Sequence, residues 1–153
     1  MDAPIPYIRR VIYAMMGVLF LIIVAMNIAN IIVCGNALSY DEHCDTFIHL
    51  NRFFIGSIIA SAMTIPLFFG GLSVVISFIF GIVGTTWYYQ ARQYCLDTAP
   101  NWIAATNWSV FFLWFTTVIG AFYVAFMYIF AYGMIRGVQQ GAAETTSTWR
   151  RWL

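Results

Sequence analysis

Residues 64–75 read TIPLFFGGLSVV and lie inside a run, Phe53 to Tyr89, that holds no Asp, Glu, Lys, Arg or His. Either that run is one helix or it is two helices joined at Gly70-Gly71. The choice sets the parity of the chain, and with it the end that each loop and tail occupies. The run has 37 residues. As one straight helix it would extend about 55 Å, against a hydrocarbon core ~30 Å thick. Tilt does not absorb that excess. Division at the glycine pair gives 53–69 and 72–89, of 17 and 18 residues. Each is at the short end of what crosses a bilayer. Glycine also supplies the positive φ that a tight turn needs.

Two further runs lack ionisable side chains, 11–33 and 108–135, of 23 and 28 residues. Each suits a single span. Of the 153 residues, 62% are hydrophobic and only 8% are charged. A soluble domain carries about 25% charged residues, so the composition excludes an ordinary one. Arg9-Arg10 before the first run resembles the start of a signal peptide. The run is too long for a signal h-region, and an uncleaved first span is expected. All seven basic residues are Arg, with no basic stripe, so no nucleic-acid partner is assigned.

Charge gives a second test of parity. With four spans, Arg9, Arg10, Arg136, Arg150 and Arg151 share one side, and Arg52 and Arg92 the other. With three spans the division is three against four. The positive-inside bias favours four spans with both tails inside. Asp41, Glu42, Asp45 and Asp97 then all fall outside. The expected fold is therefore all-α: a single four-helix transmembrane domain over 1–153, with outer loops 34–52 and 90–107. Trp87, Tyr88, Tyr89, Tyr94, Trp102 and Trp108 crowd the outer boundary, and Tyr7, Trp149 and Trp152 the inner one. Amphipathic rings favour that zone. The tail TSTWRRWL reads as an interfacial anchor, with Trp149 and Trp152 inserting and Arg150 and Arg151 meeting headgroups or a partner.

Helices in lipid associate through close packing and polar side chains. The second span has Gly56 and Ala60, Ser57 and Ser61, each pair four apart. The third has Ser73, Ser77 and Gly81, and the fourth Thr117, Ala121 and Ala125. Asn27 and Asn30 share a face of the first span. Their carboxamides read as interhelical hydrogen-bonding groups, with a pore lining as the alternative. The aromatics of the fourth span surround the helix, as expected for contact with lipid and partner helices.

No span contains an ionisable Asp, Glu, Lys, Arg or His. That argues against a proton pump, a coupled transporter or a voltage sensor, and against bis-His haem. No catalytic, cofactor or metal residues are assigned, and the only bound species expected are structural lipids. The first outer loop holds Asp41, Glu42, His43, Asp45 and His49, without a recognisable ligand spacing. Cys34, Cys44 and Cys95 all fall on the outer side. They allow one bridge, 34–44, 34–95 or 44–95, in an oxidising compartment.

The stretch IRRVIYAMMGVLFLI opens the first span, and a Cys-bearing loop precedes NWSVFFLWF at the fourth. With four spans and both tails inside, this layout resembles the MARVEL-type tetraspan membrane proteins. The Trp-Gly-Leu-Trp of claudins and the Cys-Cys-Gly of tetraspanins are missing, and no site residues transfer. The charged intramembrane residues of the membrane-associated eicosanoid and glutathione enzymes have no counterpart.

The expected function is that of a non-catalytic integral membrane subunit packed with other membrane subunits and lipids. An energy-transducing organelle complex is one setting. The membrane expected for this multi-pass chain is the mitochondrial inner membrane or the plasma membrane, and the sequence does not name the organelle. The alternatives are a MARVEL-like tetraspan organising membrane or cell contacts, a small homo-oligomeric channel lined by Asn27 and Asn30, and a lipid-modifying enzyme using His43 and His49.

Overall fold

The computed structural model describes residues 5–40, Glu42, Cys44, 50–67 and 71–152. Of these, the side chains of 5–9, 65–67, Met134 and 137–152 lie outside the description. The described residues form four helices: α1 (Ile5–Leu38), α2 (Leu50–Leu67), α3 (Leu72–Tyr94) and α4 (Pro100–Trp152). The long uncharged run is thus divided between α2 and α3. Gly71 stands at the start of α3 with φ 71°, the left-handed region that costs any residue with a Cβ. Three of the helices are long and apolar enough to cross a membrane, over Arg10–Leu38, Leu72–Tyr94 and Pro100–Gly133. With 18 residues, α2 is about 27 Å long.

Each helix packs on its neighbours in sequence, and α1 closes the ring against α4. Contacts along α1 and α4 show that they run antiparallel. Trp102, at the start of α4, bonds Ala37 at the end of α1, whereas Tyr13 meets Phe130 edge-to-face at 5.4 Å. Two ends follow. The loop end carries Ser39, Tyr40, Glu42, Cys44 and 95–99, and the tail end carries the start of α1 and the end of α4. The helices continue past the apolar runs, so these connections are shorter than the expected loops 34–52 and 90–107. Polar residues such as Asn36 and Gln90 do not by themselves stop a helix. At the tail end α4 likewise continues to Trp152.

The main core lies towards the loop end. Cys34, Ala37, Leu50, Phe53, Phe54, Ala91, Cys95 and Leu113 are all buried there. A smaller cluster of Ile23 and Tyr123, with Met16, Leu19, Ile119 and Met127, joins α1 to α4 near the tail end. Phe53 stacks edge-on to Trp87, and Phe54 to Trp102.

Small residues let the helices approach. The Phe80 ring covers Gly56, the Trp114 ring covers Gly81, and Val74 covers Gly120. Gly84 is the tightest position. A Cβ there would lie 2.7 Å from the Phe53 ring and 2.8 Å from Val110 Cγ2. Phe53 is only 2% exposed and has nowhere to move. Gly84→Ala is expected to destabilise the bundle by about 1–2 kcal/mol through overpacking. Gly81→Ala, whose Cβ would sit 3.4 Å from Trp114, should cost less. Paired thermal melts in detergent check the order.

Candidate functional site: a buried polar cluster and a latched loop end

Asn30 sits where α1 faces α2 and is 1% exposed. Both of its amide hydrogens are used. Nδ2 donates to Ser57 Oγ at 2.9 Å and to Ser61 Oγ at 2.8 Å. The i, i+4 spacing of Ser57 and Ser61 puts both hydroxyls on one face of α2. Ser57 Oγ lies 3.0 Å from Ser109 Oγ of α4. Cys34 Sγ, one turn along α1 from Asn30, lies 3.6 Å from Asn30 Oδ1 and 3.4 Å from Ser109 Oγ. Its one S–H serves one of these acceptors at a time. Five side chains from three helices therefore satisfy one another in a buried site.

Chemically the cluster holds hydroxyls, a thiol and a carboxamide. None of the five is an acid or base able to take a proton near neutral pH, as nucleophilic catalysis by Ser or Cys requires. Its effect is to fix the register of α1, α2 and α4, because a carboxamide in an apolar surrounding must find its partners.

The other expected packing residues fall in different places. Asn27 is buried, and its Nδ2 bonds Ile23 O of its own helix at 2.8 Å; the carboxamide thus bonds backward along α1. Ala60, Ser73 and Ser77 are buried. The Ser77 hydroxyl finds no hydrogen-bond partner among the described residues. Thr117 bonds Leu113 O. Ala121 and Ala125 are exposed, because the fourth-helix ridge is turned by one residue and Gly120 makes the close approach. Trp114 Nε1 donates to Thr85 Oγ1 at 3.0 Å and ties α4 to α3.

Among the described residues three ties hold the loop end. Cys44 and Cys95 are disulfide-bonded, with Cα atoms 5.6 Å apart, inside the usual range. Cys34 is a free, buried thiol, so 44–95 is the pairing among the three that the sequence allows. Trp102 Nε1 donates to Ala37 O at 2.9 Å and covers a terminal carbonyl of α1. The third tie concerns the start of α4. Pro100 takes the first helical position, where its missing N–H is no loss. Ala99 precedes it and has no side-chain acceptor for the next two N–H groups. Glu42 supplies one from the other connection. Its carboxylate accepts from Asn101 N at 3.3 Å, Asn101 Nδ2 at 2.6 Å and Trp102 N at 2.9 Å. A carboxylate is favoured at a helix N-terminus by both hydrogen bonding and the helix dipole. Glu42→Ala is expected to cost about 1 kcal/mol, as cap removals do. It should also speed hydrogen exchange at the Asn101 and Trp102 amides, which a mass-resolved exchange measurement reads directly.

Among the described residues no three His, Cys, Asp or Glu side chains come together. Asp41, His43, Asp45 and His49, the remaining polar groups of that loop, lie outside the described residues, as do the side chains of the tail anchor Trp149, Arg150, Arg151 and Trp152.

Comparison with family models, curated proteins and solved structures finds no match.

The sequence signals for Asn30, Ser57 and Ser61 were intrinsic polarity and spacing. Ser109 carried none, being one hydroxyl in an aromatic helix. Glu42 could be placed on α4 only through tertiary contact, although the Ala99-Pro100 start of α4, lacking its own cap, announces that one must come from elsewhere.

Proposed function

We propose that the chain is a four-span, non-catalytic membrane subunit, with both tails on the inner side, that packs within a larger membrane assembly. One observation carries this reading, the length of α4. Among the described side chains it meets α1 at Phe130 on Tyr13. From Tyr13, α1 has only eight more residues to its start at Ile5, whereas α4 has 22 more to its end at Trp152. Among the described residues, the last ~14 residues of α4, about 21 Å of helix, therefore extend beyond the start of α1. Helices in proteins owe most of their stability to packing, and a second subunit supplies it.

The bundle's own polar groups support a packing role. Asn30, Ser57, Ser61, Ser109 and Cys34 are engaged with one another. A channel on an oligomer axis would need Asn27 and Asn30 on an outer face, and both are buried inside the bundle. The cystine joining the two loop-end connections favours one second reading, a MARVEL-like tetraspan that organises contacts by itself.

Extraction in mild detergent followed by native mass analysis tests the choice. Other subunits at fixed stoichiometry are expected, and a chain ended after Arg136 should lose them while keeping its 44–95 cystine. A monomer or homo-oligomer alone would overturn the subunit reading and select the tetraspan one.

A further inference from the structure

Two of the three cysteines are bridged at the loop end, and the third lies deep in the bundle. Depth is read along α4. Cys95 sits just ahead of that helix, where its carbonyl accepts from Ala99 N at 2.9 Å. The cystine holds Cys44 beside it, Cα to Cα 5.6 Å. Cys34 Sγ instead lies against Ser109 Oγ at 3.4 Å. Pro100 to Ser109 is nine residues along α4, about 14 Å of helix. A disulfide needs its Cα atoms within about 7 Å. Cys34 is also 0% exposed. In the folded bundle it is out of reach of both other cysteines, and the pairings 34–44 and 34–95 are closed to it.

The chain with α4 undocked has the opposite preference. Cys44 follows the end of α1 at Leu38 by six residues, a tether that extends to about 20 Å. Cys34 lies one turn back from that end, about 6 Å, well inside the tether's reach. A bridge from Cys34 to Cys44 spans a separation of 10 residues, against 51 for 44–95. The entropy of loop closure favours the shorter loop about tenfold. Ser109, which covers the Cys34 sulfur, is supplied by α4. Cys95, five residues ahead of Pro100, is set in place with the same helix, whose seat on α1 is fixed by Trp102 on Ala37 O. One docking event therefore buries Cys34 and delivers Cys95.

We infer that the chain has a second covalent state, a Cys34–Cys44 bridge formed while α4 is undocked, and that docking of α4 exchanges it for 44–95. The first bridge is made by a disulfide donor such as oxidised glutathione, which leaves as two thiols. As α4 arrives, the Cys95 thiolate attacks the Cys44 sulfur. The 34–44 bond breaks as the 44–95 bond forms, and Cys34 leaves as a thiolate that takes up the proton Cys95 released. One disulfide replaces another, so the exchange itself needs no oxidant. The freed S–H then enters the cluster beside Asn30 and Ser109. The loop end is thus locked only once the last helix is seated. This inference does not rest on the membrane-subunit reading above.

The test refolds the full-length chain, reduced and denatured in detergent, in a glutathione buffer, with samples quenched by an alkylating agent at intervals. Peptide mapping by mass spectrometry counts each bridge and the alkylated fraction of Cys34. The 34–44 bridge should lead 44–95 by about tenfold at the earliest times. It should then decay into 44–95 as Cys34 becomes a free thiol closed to alkylation. Ser109→Leu, which puts a larger side chain where the sulfur seats, should hold the chain at 34–44. Cys34→Ser should form 44–95 without a lag. A 44–95 bridge that leads from the start in the unaltered chain, or that forms at the same rate with Cys34→Ser, overturns the inference. So does a Ser109→Leu chain that passes to 44–95 as fast as the unaltered one.

Discussion

Asn30→Leu is expected to lower the stability of the bundle by about 2 kcal/mol. The substitution is nearly isosteric, so cavity terms are small. It removes two hydrogen bonds between α1 and α2, each worth roughly 0.6 kcal/mol between helices in lipid. It also leaves the Ser61 hydroxyl, 1% exposed, without its Asn30 donor, at a further cost of about 1 kcal/mol. Ser57 and Cys34 keep Ser109 as a partner, which limits the loss. Asn27→Leu is the informative control. Asn27 is just as buried, but its donor goes to Ile23 O of its own helix, an acceptor that the helix ladder already engages. Its loss should cost about 0.5 kcal/mol, the low end for a hydrogen bond. Denaturant-titrated unfolding of the two variants in detergent decides the matter. Equal costs would mean that the cluster does not set the register of α1 against α2.

That contrast also shows how far the sequence could be read. Asn27 and Asn30 look alike in sequence: two carboxamides on one face of one apolar run. Nothing local says that one spans helices and the other bonds backward along its own. The difference depends on where Ser57 and Ser61 arrive, and that is fixed by the whole bundle. The division at Gly70-Gly71 was legible for the opposite reason. Helix length against membrane thickness is a one-dimensional constraint, and Gly71 at φ 71° meets it with local chemistry. Helix ends were legible only to within several residues, because charge marks where hydrocarbon stops and hydrogen bonding marks where the helix stops. In the fourth helix, Ala121 was read as packing and Gly120 makes the contact. A ring of aromatics on all sides gives no phase from which to choose between neighbours. The pairing of Cys44 with Cys95 was one of three open choices, since loop cysteines are brought together by the helices that carry them.

Removing that cystine is the second large effect expected. Closing a loop of 51 residues would contribute on the order of 4 kcal/mol if the unfolded chain were free. On the membrane-subunit reading the unfolded helices stay held in a membrane and are already restricted, so Cys44→Ser with Cys95→Ser is expected to cost about half of that, roughly 2 kcal/mol. The cost should not stand alone. Cys44 is two residues from Glu42, and the same connection carries both the cystine and the cap of α4. Once the bridge is gone, ordering that connection to bring Glu42 onto Asn101 and Trp102 has its own entropic cost, and the cap closes less often. The two ties are therefore coupled. Glu42→Ala should cost about 1 kcal/mol with the bridge intact and close to nothing without it, a non-additivity of the size seen for residues sharing one structural element. A double-mutant cycle, with exchange at the Asn101 and Trp102 amides as its local readout, measures the coupling. Strict additivity would mean that the cap closes independently of the cystine. Coupling would mean that the bridge's main structural work is to seat a carboxylate on a helix that cannot cap itself.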